Sequence, residues 1–240
     1  MFLNPALSSA LDRISERAAD ARRAFTPGAV ARNDDVALAQ PGSDYTLDPL
    51  AVCAGAGIYF VTRDQNGATA YTRDGSLALR EGRLVDNTGR AICGLKMPDR
   101  DLCELRIDPV DEALGRAIDP HIEQDGSLVY RRVAVDPRSG VRESQRVVVG
   151  RIALARFPAG TRFVSTDGSD SVPPAGVSPQ IGAAGEASFS PLATMRRERS
   201  HIDVDESLAR LKEAYLAFDA LQAAESAKGH LGKTVIDLVK

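Results

Sequence analysis

Residues 57–85 read GIYFVTRDQNGATAYTRDGSLALREGRLV, and the turn residues in this stretch decide the fold class. Ile58-Tyr59-Phe60-Val61-Thr62 is β-branched and aromatic, which suits a strand. Asn66-Gly67 follows, and both residues tolerate positive φ, so the spacing predicts a hairpin with Thr69-Ala70-Tyr71-Thr72 as the returning strand. Asp74-Gly75 turns the chain into Leu77-Ala78-Leu79, Glu81-Gly82 turns it into Arg83-Leu84-Val85, and Asn87-Thr88-Gly89 leads into Ala91-Ile92-Cys93. Short apolar segments punctuated this regularly predict an antiparallel meander or barrel.

A second β stretch lies further on. Leu102 to Ile107 alternates apolar and charged residues, and Leu128-Val129-Tyr130 leads into the alternating Val133-Ala134-Val135. Arg146 to Phe157 is the longest strand candidate, with Gly150 inside it as a bend or bulge. Asp136-Pro137-Arg138-Ser139-Gly140 is turn chemistry. Asp-Gly-Ser recurs at 74–76, 125–127 and 167–169 at irregular spacing, which reads as reused turn chemistry and not as a solenoid.

The two ends of the chain carry a different period. Leu7, Ile14 and Ala21 fall seven apart, as do Leu11, Ala18 and Phe25, and together they alternate four and three. Asn4 can cap this segment, Pro5 suits the first helical position, and Thr26-Pro27-Gly28 ends it. At the other end Val204, Leu208, Leu211, Tyr215 and Phe218 repeat the four-three spacing, with Asp203 and Glu206 at the capping-box offset. The expected architecture is mainly β with terminal α-helices: a β-rich sandwich or barrel-like central domain flanked by N- and C-terminal coiled-coil-type helices. Its divisions are an N-terminal helix over 1–25, a linker over 26–54, a β-rich domain over 55–164, a Ser/Gly/Pro-rich linker and return segment over 165–200, and a C-terminal helix over 201–240.

Composition narrows the function classes. Over 240 residues the net charge is −3 with both signs mixed, which argues against a nucleic-acid surface. No apolar run is long enough to cross a bilayer as a helix, and no basic start followed by an apolar stretch marks a Sec signal. Cys53, Cys93 and Cys103 lack CxxC spacing, which predicts free, partly buried thiols and no disulfide framework. His121, His201 and His230 have no partners at ligand spacing, so no metal site is expected. Gly55-Ala56-Gly57 precedes a strand, whereas a dinucleotide loop follows one and opens a helix. The short basic run Arg196-Arg197-Glu198-Arg199 reads as a solvated strand edge or helix approach. No nucleophile elbow or P-loop is present, so neither a catalytic residue nor a cofactor is expected.

Three segments together resemble the axial proteins of the bacterial flagellum, the rod and hook family. The first is Gly57-Ile58-Tyr59-Phe60-Val61, then Ala70-Tyr71-Thr72-Arg73-Asp74-Gly75-Ser76-Leu77, then Gly82-Arg83-Leu84-Val85, Gly89 and Gly94. The second is Ile122-Glu123-Gln124-Asp125-Gly126-Ser127 with Val149-Gly150-Arg151-Ile152-Ala153-Leu154-Ala155-Arg156-Phe157. The third is Ile202-Asp203-Val204-Asp205-Glu206-Ser207-Leu208 through Tyr215, similar to the entrance of the family's C-terminal helix. The likeness spans roughly residues 55–228.

The resemblance implies a structural, non-enzymatic subunit of the basal-body rod, exported by the flagellar type III route and spanning the periplasm. Its terminal helices would pack with those of neighbouring subunits into a tube that transmits torque. The implied assembly interface is Leu7, Leu11, Ile14, Ala18, Phe25, Val204, Leu208, Leu211, Tyr215 and Phe218, and the family-core turn is Tyr71, Arg73, Asp74 and Gly75. The implied partners are further copies of the chain, other rod and hook proteins, and ring proteins or an export chaperone, with no nucleic acid and no membrane insertion. Residues 26–45 hold only Asn33-Asp34-Asp35 where the family has an Asn-rich segment, and Gly229 and Gly232 are expected to interrupt the last helix. These departures motivate a second reading, a non-polymerising module that binds a rod, ring or chaperone partner.

Overall fold

A computed structural model describes residues 5–26, 29, 42–96, 100–108, 110–111, 115–135, 142–161, 163–165, 170–200 and 202–238. Asn4, the Asn33-Asp34-Asp35 run, the turn at 136–140 and the third Asp-Gly-Ser copy lie outside these residues.

The chain opens with α1 (Pro5–Arg23) and closes with α2 (Val204–Leu238). Between them come β1 (Ser43–Tyr45), β2 (Val52–Cys53), β3 (Ile58–Arg63), β4 (Thr69–Thr72), β5 (Ala78–Arg80) and β6 (Arg83–Val85). There follow β7 (Ala91–Lys96), β8 (Asp101–Glu104), β9 (Val110–Asp111), β10 (Gly115–Ile122), β11 (Ser127–Val135) and β12 (Arg142–Ile152). The set ends with β13 (Leu154–Arg156), β14 (Val164–Ser165), β15 (Asp170–Val172), β16 (Gln180–Gly182), β17 (Ala193–Thr194) and β18 (Arg196–Glu198).

The sandwich or barrel-like domain expected from the sequence is replaced by one hydrogen-bonded sheet of 14 strands, joined by the two-stranded pairs β1–β18 and β2–β17. The physical reason is β7, which changes partners halfway along. Ala91 and Ile92 face β3, with Ala91 also paired to β6, while Cys93 to Lys96 pair with β8 and Gly94 and Leu95 pair with β12. The two β stretches therefore fuse through this strand. Gly94 permits the crossing, because a Cβ there would sit 2.4 Å from Leu105 Cδ2 and 3.0 Å from the Arg151 carbonyl oxygen.

The sheet is buried on both faces around β3. Ile58 and Phe60 join a core with Leu77, Leu84, Ile92, Leu128, Ile152 and Leu154. Tyr59 and Val61 point the other way and pack with Tyr71, Cys93, Leu95, Ala153 and Ala155. A central strand covered on both faces reads as a continuous apolar run, as residues 58–61 do.

The terminal helices pack against each other. The start of α2 lies at the end of α1, where Ile202 clusters with Ala24 and Ala29 and the Ser200 hydroxyl donates to the Arg23 carbonyl, so the helices run antiparallel. The coiled-coil-type arrangement expected for them is corrected, since no coiled coil is seen among the described residues. One row of each stripe is covered: Leu7, Ile14 and Ala21 on α1, and Val204, Leu211 and Phe218 on α2, are buried or half-buried. The second rows differ. Ala10, Arg17 and Ala24 are covered where Leu11 and Phe25 were expected, and Ser207, Ala214 and Leu221 are covered where Leu208 and Tyr215 were expected. Several of the covered positions are small, which permits close approach of the helices and turns the larger side chains outward.

Candidate functional site

The candidate site joins the turn at Tyr71, Arg73, Asp74 and Gly75 to the neck between sheet and helices. It begins with β4, whose Tyr71 is buried and meets Phe157 edge-on at 4.8 Å between ring centroids. After the strand ends, Arg73 turns inward. Its Nε and Nη2 donate to Glu198 Oε1 at 2.9 and 2.7 Å, and its guanidinium lies 5.6 Å from the centroid of the Tyr59 ring. Glu198 is only 1% exposed. It ends β18, six residues before α2 begins, so this ion pair ties the core turn to the strand that delivers the last helix.

Asp74 is fully buried beside it. Its Oδ1 accepts the Ser76 amide at 2.9 Å, its Oδ2 accepts the Asn87 side-chain amide, and its own amide donates to Thr72 Oγ1 at 3.1 Å. Burial pushes its carboxyl above the ordinary aspartate range, and the hydrogen bonds from Ser76 oppose that shift. The neighbouring turn is organised in the same way by Asp86, whose Oδ1 accepts the Thr88 hydroxyl at 2.7 Å and the Thr88 and Arg90 amides at 2.9 Å each. Gly75 presses on β2: its carbonyl accepts the Val52 amide at 3.0 Å.

The neck is the two-stranded pair β1–β18, in register Ser43↔Glu198 to Tyr45↔Arg196. It is extended by the Thr46 amide donating to the Met195 carbonyl at 2.9 Å, the Met195 amide donating to the Ala51 carbonyl at 2.8 Å, and the Arg199 Nε bond to Asp44 Oδ1 at 2.9 Å. Strands thus occur within the stretches 26–54 and 165–200 that the sequence suggested were linkers.

The expected interface residues fall into two groups. Ile14 is buried, and Leu7, Ala18, Val204, Leu211 and Phe218 are half-buried. Leu11 is 40% exposed, Phe25 81%, Leu208 51% and Tyr215 50%, and Leu216 joins them at 59%. The helix pair therefore presents an outward apolar surface. Tyr71, Arg73, Asp74 and Gly75 are brought together, all buried. Sequence reasoning missed Glu198, Asn87 and Asp86. The one available signal for Glu198 was that it stands alone as an acid among Arg196, Arg197 and Arg199.

No group of His, Cys, Asp and Glu suited to a metal ion occurs among the described residues. An open cleft of about 460 Å³ is lined by Pro49, His121, Ile122, Glu123, Gln124, Thr194 and Met195. Its carboxylate, Glu123, is engaged by Arg146 Nη2 at 2.8 Å through both oxygens, and His121 Nε2 stands 3.9 Å from it. No helix among the described residues is long and apolar enough to cross a membrane.

The three cysteines are free thiols. Burial pushes Cys53 and Cys93 up to about 11, while Cys103 is half-buried. In the folded chain at pH 8, iodoacetamide is expected to label Cys103 first and to reach Cys53 and Cys93 only after denaturant is added. Peptide mapping by mass spectrometry reads the order; early labelling of Cys53 would contradict the closed neck.

Compared with known proteins, the sequence matches no family model and no curated protein.

Proposed function

We propose that this chain is a structural subunit of the bacterial flagellar basal-body rod, without catalytic activity, that assembles with further copies of itself and with other axial proteins. The observation that carries the proposal is the outward apolar surface of the helix pair, formed by Leu11, Phe25, Leu208, Tyr215 and Leu216. Large apolar side chains left exposed on and beside a helix pair suit association with another chain. The sequence resemblance supplies the kind of association, since heterologous contacts that do not close build helical filaments. The neck supports the mechanical part of the reading: force on the helices passes through β18 and the Arg73–Glu198 pair into the sheet. In this reading the protein leaves the cell by the flagellar type III route and acts in the rod across the periplasm.

The test uses Leu11→Asp and Leu208→Asp. Both positions are exposed, so folding of the isolated chain is expected to be unchanged by circular dichroism, while incorporation into purified basal bodies falls to roughly a tenth of the parent or less, as expected when an apolar contact is replaced by a buried charge. Normal incorporation of both variants would overturn the proposal. A discrete one-to-one complex with a ring protein or chaperone, and no incorporation of the parent chain itself, would favour the non-polymerising module.

A further inference from the structure

The sheet closes one of its long edges and leaves another open. On β10, β9 covers Gly115 and Arg116; beyond it the register shifts between Ile118 and His121, Asp119 adopts φ 52°, and Pro120 offers no amide hydrogen. Bulges and prolines of this kind block strand addition. On β12 the arrangement is different. Its inner edge pairs with β11 from Arg142 onward, but its outer edge meets β7 only at Arg151 and Ile152. Residues 142–150 therefore present an outer edge with no strand partner among the described residues, and 142–146 are exposed without interruption. No proline lies in this segment. A register shift opposite Leu128 and Val129 breaks the regular ladder only at its far end, so 142–147 is the straight part.

The charges on this ribbon are sorted by face. Residues directly opposite each other share a face, so Arg142 and Arg146 lie on the same side as Arg131, opposite Arg146, and as Arg116, opposite Val133. Arg131 is paired with Asp119 and Arg146 with Glu123. Arg116 and Arg142 have no carboxylate partner among the described residues. Glu143 points to the other face. Antiparallel pairing of this edge with the same edge of a second copy would place both copies' Arg142 and Arg146 on one face, where Glu123 meets only the Arg146 charge. Like charges across a strand pair are destabilising, so the edge disfavours its own kind.

We propose that the outer edge of β12, over residues 142–147, is a docking site for an extended segment of a different protein. That segment adds as a strand and carries carboxylates at alternate positions over Arg142 and Arg146. Main-chain hydrogen bonds supply the pairing, and the arginine face selects the acidic partner. The site is separate from the helix surface and does not rest on the axial-subunit reading.

The probe is a fluorescein-labelled peptide of alternating glutamate and valine, titrated into the full chain and followed by anisotropy, with the lysine–valine peptide as control. The acidic peptide is expected to bind saturably and to slow hydrogen exchange of amides within 142–147. Arg142→Glu, at an exposed position with no carboxylate partner among the described residues, is expected to weaken binding about five-fold or more with an unchanged circular dichroism spectrum. Leu11→Asp is expected to leave binding unchanged, which separates failure of this site from failure of the helix surface. The proposal is overturned by absence of saturable binding, by equal binding of the lysine peptide, by protection confined to residues outside 142–147, or by self-association of the chain through this edge.

Discussion

Replacing Glu198 with alanine is expected to lower the stability of the chain by about 3–5 kcal/mol, because it strands a buried guanidinium. Arg73 is 8% exposed, and Glu198 is its partner for both Nε and Nη2. Its guanidinium is held against Tyr59 and its backbone is fixed by the neighbouring turn, so the charge cannot swing into water without opening the neck. The double variant Arg73→Met, Glu198→Leu is expected to recover most of the loss, since it removes both desolvated charges at once and leaves apolar groups of similar size. Urea denaturation by circular dichroism measures the first effect. Hydrogen exchange at β18 and the first turn of α2 measures whether the loss is centred on the neck. A Glu198→Ala variant within about 1 kcal/mol of the parent would mean that the pair is screened as a surface pair is, and that the neck is held by β1 and β2 alone.

The hairpin at 58–72 was legible because its signals are local: a β-branched run, Asn66-Gly67, and a returning strand of matching length. The structure pairs Phe60 with Thr72 and Arg63 with Thr69, and Gly67 takes φ 84° at the turn. The start of α2 was legible for the same reason, and Asp203 Oδ1 does accept the Glu206 amide at 3.0 Å. The interruption expected at Gly229 and Gly232 is corrected, since α2 runs unbroken through both to Leu238. What escaped was set by distant residues. Ser43 pairs with Glu198 across most of the chain, and three-residue strands have too little periodicity to announce themselves. The partner change along β7 left no mark beyond Gly94. Helical period alone named one row of each helix that is covered in the single chain, but the second row depends on which side chains allow close approach. The helices turn Ala10, Ser207 and Ala214 toward covered positions and leave Leu11 and Tyr215 outside. A stripe read from hydrophobicity favours the large residues and so names the outward surface as part of the contact. Glu198 was concealed by its neighbours, since one acid among three arginines resembles a solvated edge until the buried Arg73 is placed opposite it.

Gly75→Ala is expected to be nearly as damaging as the loss of Glu198, for a steric reason. A Cβ at this position would lie 1.7 Å from the Val52 carbonyl oxygen and 2.7 Å from its carbonyl carbon. These are backbone atoms, so no rotamer change relieves the contact. Val52 is itself fully buried, and its amide donates to the Gly75 carbonyl at 3.0 Å. Moving it aside would break that bond and disturb the pairing of β2 with β17. Overpacking typically costs about 1–3 kcal/mol, and a backbone clash belongs at the upper end. The contrast is Gly67→Ala. A Cβ at Gly67 would meet nothing within 4 Å, but the residue holds φ 84°, so its substitution carries only conformational strain. That strain is about 1–2 kcal/mol for a residue with a Cβ in the left-handed region. Comparing the two by urea midpoint separates close approach from backbone freedom. If Gly75→Ala cost no more than Gly67→Ala, the turn and β2 would be able to part without loss. The core turn would then not be what seats the neck against the sheet.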